Sequence, residues 1–269
     1  MNGAKESGCD VMIIVKLGGS VISDKKVEFS FREDVVRRIA REIAEFFPEK
    51  RFMIVHGGGS FGHPLAKKFR IREGLTDDSK RFGFSATHLA MLDLSGRIVR
   101  AFLDEGLPAF PVSTSSVFVT ENGEVVHGDL TVVEMLLGLG FIPVLFGDVS
   151  VDVKKGIDIL SGDQIIAYLA RKLRPEKVIF LMDVGGIYAG KPGEASLVEK
   201  LRPGDIEGLI ERLSGAAGID VTGGIANKLR KAREIAEYSE VWFVNGLVPG
   251  RLAGAIRGDT TGTVVSKRP

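Results

Sequence analysis

Val11-Met12-Ile13-Ile14-Val15-Lys16-Leu17-Gly18-Gly19-Ser20 is the stretch on which the fold turns. A nearly continuous apolar run rich in β-branched residues predicts a strand buried on both faces, because a strand with one wet face alternates apolar and polar residues. The run ends in paired glycines, whose lack of a side chain lets backbone N–H groups approach a ligand closely. The same order recurs at Phe52–Val55, which runs into His56-Gly57-Gly58-Gly59-Ser60-Phe61-Gly62-His63-Pro64. A buried strand feeding a glycine loop, met twice, points to a parallel sheet with anion sites at its strand ends.

Outward from these loops the chain alternates. Helical spacing predicts Phe31–Phe47 as a crossover helix with Val35, Val36, Ile39, Ile43 and Phe46 on one side, and further helices over Arg81–Glu105 and Leu130–Leu139. Short strands are expected near Ala109–Val112 and in a hairpin over Val117–Val126 that turns at Glu121-Asn122-Gly123-Glu124. Phe141–Gly147 and Val178–Met182 read as core strands, separated by a small hairpin from Asp148 to Asp158 and a helix opened by Ser161-Gly162-Asp163 and reaching about Leu173. The tail gives helices at Asp205–Leu213, from Gly223 to about Tyr238 and near Arg251–Ile256, with strands at Val241–Val244 and Gly262–Val265. A polar, hairpin-like stretch is expected around Ser23-Asp24-Lys25-Lys26. The pattern implies an α/β fold, a three-layer αβα sandwich with an open, mostly parallel central sheet. Residues 1–10 are read as a flexible extension and 11–269 as one domain with halves of about 11–172 and 173–269, since ligands in such sheets sit where strand order reverses.

Composition narrows the partners. Charge is balanced, 36 Lys+Arg against 35 Asp+Glu, so no global field draws the chain to nucleic acid or an acidic membrane, and any anion must be held locally. The single cysteine, Cys9, excludes a disulfide within one chain, and no apolar run is long enough to span a bilayer, so a cytoplasmic protein is expected. Gln164 is the only glutamine, a composition that leans toward a heat-adapted source.

The P-loop pattern is absent. Gly57-x-Gly59-x-x-Gly62 satisfies the dinucleotide fingerprint in its letters, which brings a nicotinamide or flavin enzyme into consideration. That fingerprint wants an acidic residue about 20 positions later at the end of a second strand, whereas Asp77 and Asp78 fall in a polar loop. A different conjunction explains more residues: Lys16–Ser20, His56–His63, Ser161-Gly162-Asp163, and Asp220-Val221-Thr222-Gly223-Gly224 with Lys228. Anion-type loops at strand and helix ends supply the backbone donors and cations that phosphoryl transfer needs. Lys16 follows a buried strand, where an unpaired ammonium is costly, and is expected to meet an anion or a carboxylate. Lys67, Lys68, Lys154 and Lys155 read as solvated surface charges, and His56 and His127 as structural residues.

On these loops the chain resembles the amino-acid-kinase family from Lys16 to Val265, and His63 places the resemblance in the branch that phosphorylates isopentenyl phosphate, to which the fosfomycin kinases are similar. The resemblance implies ATP and Mg²⁺ as cofactors, with the metal carried by the ATP phosphates and no direct protein ligand. It implies that Lys16 and Lys228 hold the β- and γ-phosphates, that Asp163 orients both amines, and that Lys25 stabilises the transferring group. Gly18, Gly19 and Gly58 would donate N–H groups, with Ser20, Asp183 and Gly223 on the nucleotide side; Gly57, Gly62, His63 and Gly162 would hold the acceptor phosphate. The half 11–172 would then bind the acceptor and 173–269 the nucleotide. Phe82, Phe84, Ala86, Leu89 and Ile157 are the candidate walls of an apolar tail pocket, His88 could face either that pocket or solvent, and a homodimer is expected. A kinase of a phosphonate or small acid, and an inactive nucleotide-binding regulator, stay open.

The chemistry is coherent without the resemblance. A phosphate monoester has its second pKa near 6, so at neutral pH the acceptor is already a nucleophile and no general base is required. The obstacle is repulsion, since two like unit charges about 4 Å apart cost roughly 4 kcal/mol at an effective dielectric of 20. Cations between donor and acceptor are therefore the central requirement.

Overall fold

The computed structural model describes residues 11–24, 26–189, 195–215, 224–259 and 261–267. The chain runs through β1 (Met12–Leu17), α1 (Gly19–Ile22), α2 (Glu33–Ala44), β2 (Arg51–His56), α3 (Gly59–Lys68), α4 (Ser79–Asp104), β3 (Ala109–Pro111), β4 (Phe118–Glu121), β5 (Glu124–Gly128), α5 (Thr131–Gly138), β6 (Ile142–Phe146), β7 (Asp148–Asp152) and β8 (Gly156–Leu160). It continues through α6 (Gly162–Leu173), β9 (Lys177–Met182), β10 (Tyr188–Ala189), β11 (Ser196–Leu197), β12 (Lys200–Leu201), α7 (Ile206–Gly215), α8 (Ile225–Ile235), β13 (Glu240–Asn245), α9 (Arg251–Arg257) and β14 (Thr263–Val265).

Eight strands form the central sheet in the order β12-β14-β13-β9-β1-β2-β6-β3, parallel except where β13 meets β14. The open, mostly parallel sheet expected from the sequence is present. β1, β2 and β9 lie at its middle, which is why their sequences carry apolar residues at successive positions. Strand parity divides these residues between two cores. Met12 and Ile14 of β1, Met53 and Val55 of β2, and Val178 and Phe180 of β9 pack against α5, α6, α7 and α8. Ile13, Val15 and Leu17, with Phe52, Ile54 and Ile179, pack against α2, α4 and α9. The three layers follow from that alternation. The chain passes from β1 to β2 on one side and reaches β9 on the other, so the order reverses beside β1.

Two local expectations are corrected. Ser23, Asp24 and Lys26 form no hairpin: α1 ends at Ile22 and a loop of turns carries the chain to α2, while Lys25 lies outside the described residues. The glycine loop after β2 is shorter than its sequence suggests, because Gly59 already begins α3. Glycine and proline weaken a helix on propensity alone, yet α3 contains Gly62 and Pro64. The carbonyl of Ser60, which proline at position 64 cannot satisfy, accepts instead from the Phe29 N–H at 3.2 Å. A partner distant in sequence repairs the break, and the sequence alone could not show it.

Candidate active site

Along the carboxyl edge of the sheet, successive strands end in a glycine whose N–H bonds to the neighbouring strand. Gly18 N–H donates to Leu181 O at 3.1 Å, Gly57 N–H to Leu17 O at 3.0 Å, Gly147 N–H to His56 O at 2.9 Å and Gly246 N–H to Met182 O at 2.7 Å. A Cβ on Gly18 would lie 2.5 Å from Leu181 O, and one on Gly19 would lie 2.9 Å from the Cα and N of Gly59. Glycine at these positions lets the starts of α1 and α3 come together over the sheet.

This edge floors a cleft of about 1190 Å³. Single drug-sized ligands occupy pockets of roughly 300–1,000 Å³, so the cleft has room for a nucleotide beside a small acceptor. Lys16, Gly18, Gly19, Ser20, Gly57, Gly58, Gly62, His63, Gly162, Asp163, Asp183 and Lys228, all singled out in the sequence, line it together. Lys25 and Gly223 lie outside the described residues, as do Asp220 and Thr222 of the fourth loop.

The charged centre follows from strand parity. Lys16 shares the face of Met12 and Ile14, the face covered by α6 and α8, so its side chain meets residues from those two helices. Lys16 Nζ donates to Asp163 Oδ1, and Lys228 Nζ donates to Asp163 Oδ2 at 3.0 Å. Both ammoniums also sit over the ring of Phe180, the residue paired with Lys16 across β9, at 5.7 and 5.3 Å from its centroid. Burial pushes Lys16 below its ordinary pKa, with Asp163 opposing and Lys228 adding to the shift. Burial works to raise Asp163, but Lys16 and Lys228 together hold it well below the usual carboxylate range. Asp163 therefore stays ionised and fixes two cations side by side. It sits in the first turn of α6, which Ser161 and Gln164 close as a capping box: Ser161 N–H donates to Gln164 Oε1 at 2.9 Å and Gln164 N–H to Ser161 Oγ at 3.3 Å.

The cleft glycines fall into two sets. The N–H groups of Gly18, Gly57 and Gly62 are already bonded, to Leu181, Leu17 and Gly58 respectively, so these residues shape the cleft rather than donate to a phosphate. The N–H groups of Gly19, Ser20, Gly58 and Gly162 take no acceptor among the described residues and stand at the starts of α1, α3 and α6. His63 leans over Gly58, where a Cβ would come 3.0 Å from its Cδ2.

Serines tie the first loop to the second. Ser60 N–H donates to Ser23 Oγ at 3.0 Å, and Ser30 Oγ accepts from Asp24 N–H at 2.8 Å while lying 3.2 Å from Ser60 Oγ. Asp24 Oδ1 in turn accepts from Lys26 N–H at 2.9 Å.

Other sequence readings divide. His56 is structural as expected: it is buried, its Nδ1 lies 3.0 Å from Gly57 O, and burial pushes it down to about 4. Phe82 and Leu89 are 70% and 68% exposed and cannot wall a pocket, while Phe84 and Ile157 pack in a small satellite core with Ile71 and Val149. Thr87, Met91 and Ile159 line the cleft instead. The error is one of helix rotation, because α4 carries apolar residues on every side. Lys67 is exposed, as expected of a solvated charge, and stands where the cleft opens, whereas Lys155 pairs with the buried Asp158 at 2.6 Å and is not a free surface charge. Arg70, Arg72 and Asn227 also line the cleft, and no sequence signal marked them. No group of three or more metal-ligating side chains occurs among the described residues.

An open parallel sheet whose carboxyl edge gathers helix starts, two lysines and one shared carboxylate is the architecture of a phosphoryl-transfer protein. The chain belongs to the amino acid kinase family, whose sequence model matches residues 11–245. The isopentenyl phosphate kinase of Methanothermobacter thermautotrophicus is 37% identical over 259 residues, covering 92% of this chain and 96% of that one. An isopentenyl phosphate kinase solved by X-ray diffraction superposes with a TM-score of 0.81 at 33% identity, over 94% of this chain and 100% of its own. A substrate complex of an isopentenyl phosphate kinase superposes with a TM-score of 0.78 at 28% identity, again over 94% and 100%.

Proposed function

We propose that this chain transfers the γ-phosphoryl group of ATP to isopentenyl phosphate, giving isopentenyl diphosphate and ADP in isoprenoid biosynthesis of the mevalonate type. The observation that carries the reading is His63 lying against Gly58 in the same cleft as the Lys16–Asp163–Lys228 centre. The similarity to named isopentenyl phosphate kinases over most of the chain supports it.

An oxygen of the acceptor phosphate attacks the γ-phosphorus, the bond to the β-bridging oxygen breaks, and ADP leaves with the electron pair. Lys16 and Lys228 hold the donor phosphates, and Asp163 sets their spacing. The N–H groups of Gly19 and Gly58 face the transferring oxygens, and Lys25 adds a cation there. His63 donates to the acceptor phosphate without adding negative charge, and Gly162 offers its N–H at the start of α6. Asp183, exposed at the end of β9, and Gly223 belong to the nucleotide side. Mg²⁺ bound to the ATP phosphates would neutralise part of their charge. On this reading β1, β2, β6 and β3 serve the acceptor, and β9, β13, β14 and β12 the nucleotide.

We propose in addition that the protein is a homodimer and works in the cytoplasm. No helix among the described residues is long and apolar enough to cross a membrane. Val132 and Met135 of α5 and Leu139 just past its end, with Phe110 and Phe141 near the β3 edge, leave an exposed apolar face that a second copy would cover.

An acceptor panel with ATP and Mg²⁺ tests the substrate. Isopentenyl phosphate should exceed fosfomycin, N-acetylglutamate, aspartate, uridylate and carbamate in kcat/KM by roughly a hundredfold or more. A preference for any of the others would overturn the assignment.

A further inference from the structure

The cleft wall holds a second buried carboxylate that the phosphate chemistry does not use. Asp148 opens β7 directly after the Gly147 end of β6, lines the cleft, and has a side chain with no exposed surface. The other acids of the cleft are differently placed. Asp163 is shared by two lysines, Glu73 is half exposed and paired with Lys80, and Asp183 is exposed. Asp148 has no lysine or arginine within ion-pair distance among the described residues. Its Oδ1 accepts the Val149 N–H at 2.8 Å, and its Oδ2 lies 2.7 Å from His88 Nδ1.

His88 reaches Asp148 from α4. Its neighbour Thr87 is buried and lines the cleft, while Leu89 on its other side is turned outward. Ser115 Oγ lies 3.4 Å from the same Nδ1, and the imidazole is 28% exposed. The hydrogen bond to Asp148 raises the proton affinity of the ring, partial burial works against it, and the charge of Asp148 adds to the rise. The histidine thus belongs to neither alternative left by the sequence: it stands behind the wall, not in the pocket and not free in solvent.

An uncompensated carboxylate in that wall would oppose every anionic acceptor, because a buried charge is little screened. We infer that His88 is a positioning residue that sets acceptor affinity, by donating its Nδ1–H to Asp148, holding that carboxylate against the Val149 N–H and offsetting its charge. The acceptor then meets less repulsion from that wall as it approaches His63. This rests on the phosphorylated-acceptor reading above. A purely structural role would instead weaken the contact between α4 and β7 without singling out one substrate.

The test is a set of initial-rate measurements on wild type, His88→Ala, Asp148→Asn and the double variant, varying each substrate in turn, with thermal melting of each. His88→Ala should raise KM for isopentenyl phosphate about tenfold or more, the scale of a lost charged hydrogen bond, and leave KM for ATP within about twofold. The double variant should return the acceptor KM to within about threefold of Asp148→Asn, because no charge remains to offset. An unchanged acceptor KM in His88→Ala overturns the inference. So does a joint rise of both KM values with a lowered melting temperature and no recovery in the double variant. If wild type does not turn over isopentenyl phosphate, the functional assignment falls and this inference with it; an active wild type beside an unaffected His88→Ala removes this inference alone.

Discussion

The two edges of the central sheet each bury a lysine, and the two are satisfied in different ways. Lys177 begins β9 at the amino edge, where its Nζ donates to Ala255 O at 3.3 Å and Ile256 O at 3.0 Å, carbonyls in the last turn of α9. Lys16, near the end of β1 at the carboxyl edge, donates to a carboxylate that Lys228 also uses. A cation placed on helix-end carbonyls is locked into the fold, with the helix dipole in its favour. A cation that shares one carboxylate with a second cation keeps donor capacity for an incoming anion. The glycines repeat the contrast. Gly140, ahead of β6, has φ +82 with nothing near its missing Cβ, so it serves a turn. Gly18 and Gly19 at the opposite edge face backbone atoms, so they serve close approach.

Substitutions at the two edges should separate activity from stability. Lys16→Met should lower kcat by about 10²–10³-fold, the range for removing one preorganised group that stabilises transition-state charge, with little change in melting because Lys228 still holds Asp163. Equal loss of activity in Lys177→Met would break the contrast; that variant should keep its turnover and lose about 1.5–3 kcal/mol of stability through its charged hydrogen bonds. Next in size, Gly19→Ala should reduce kcat by up to about 10²-fold, since a small displacement of α1 from α3 misplaces the reacting groups, whereas Gly140→Ala should register only in thermal melting. His63→Ala should cost roughly 10–150-fold in kcat/KM for the acceptor, equivalent to about 1.5–3 kcal/mol, and leave ATP binding intact as judged by calorimetry. The smallest effect is expected for Ser30→Ala, about fivefold in kcat from losing a hydrogen bond worth about 1 kcal/mol between the first two loops; no change would detach the serines from the site.

The carboxyl edge was largely legible in the sequence because its signals are local. A β-branched run followed by glycines marks a central strand and its loop, and Ser161-Gly162-Asp163 announces a capped helix start. Lys16 could be singled out because a lysine closing a buried strand needs a partner; the family resemblance implied Asp163, and strand parity with the placement of α6 and α8 shows how the two meet. What escaped depends on tertiary structure. α3 was hidden by Gly62 and Pro64, whose cost is offset by Phe29. Phe82 and Leu89 were placed on the wrong face, since a helix apolar on all sides carries no rotational signal. Arg72 and Asp148 look like ordinary loop and strand-end residues until the fold brings them to the cleft, and nothing in the sequence marks Lys177 as buried before α9 presents its carbonyls.

Phosphorus NMR of the wild-type protein with ATP, Mg²⁺ and isopentenyl phosphate tests the central claim most directly. The monoester resonance should give way to the coupled pair of an organic diphosphate as ADP forms, with Lys177→Met behaving alike and Lys16→Met leaving the monoester in place. Persistence of the monoester in wild type, or appearance of inorganic phosphate alone, would contradict the account.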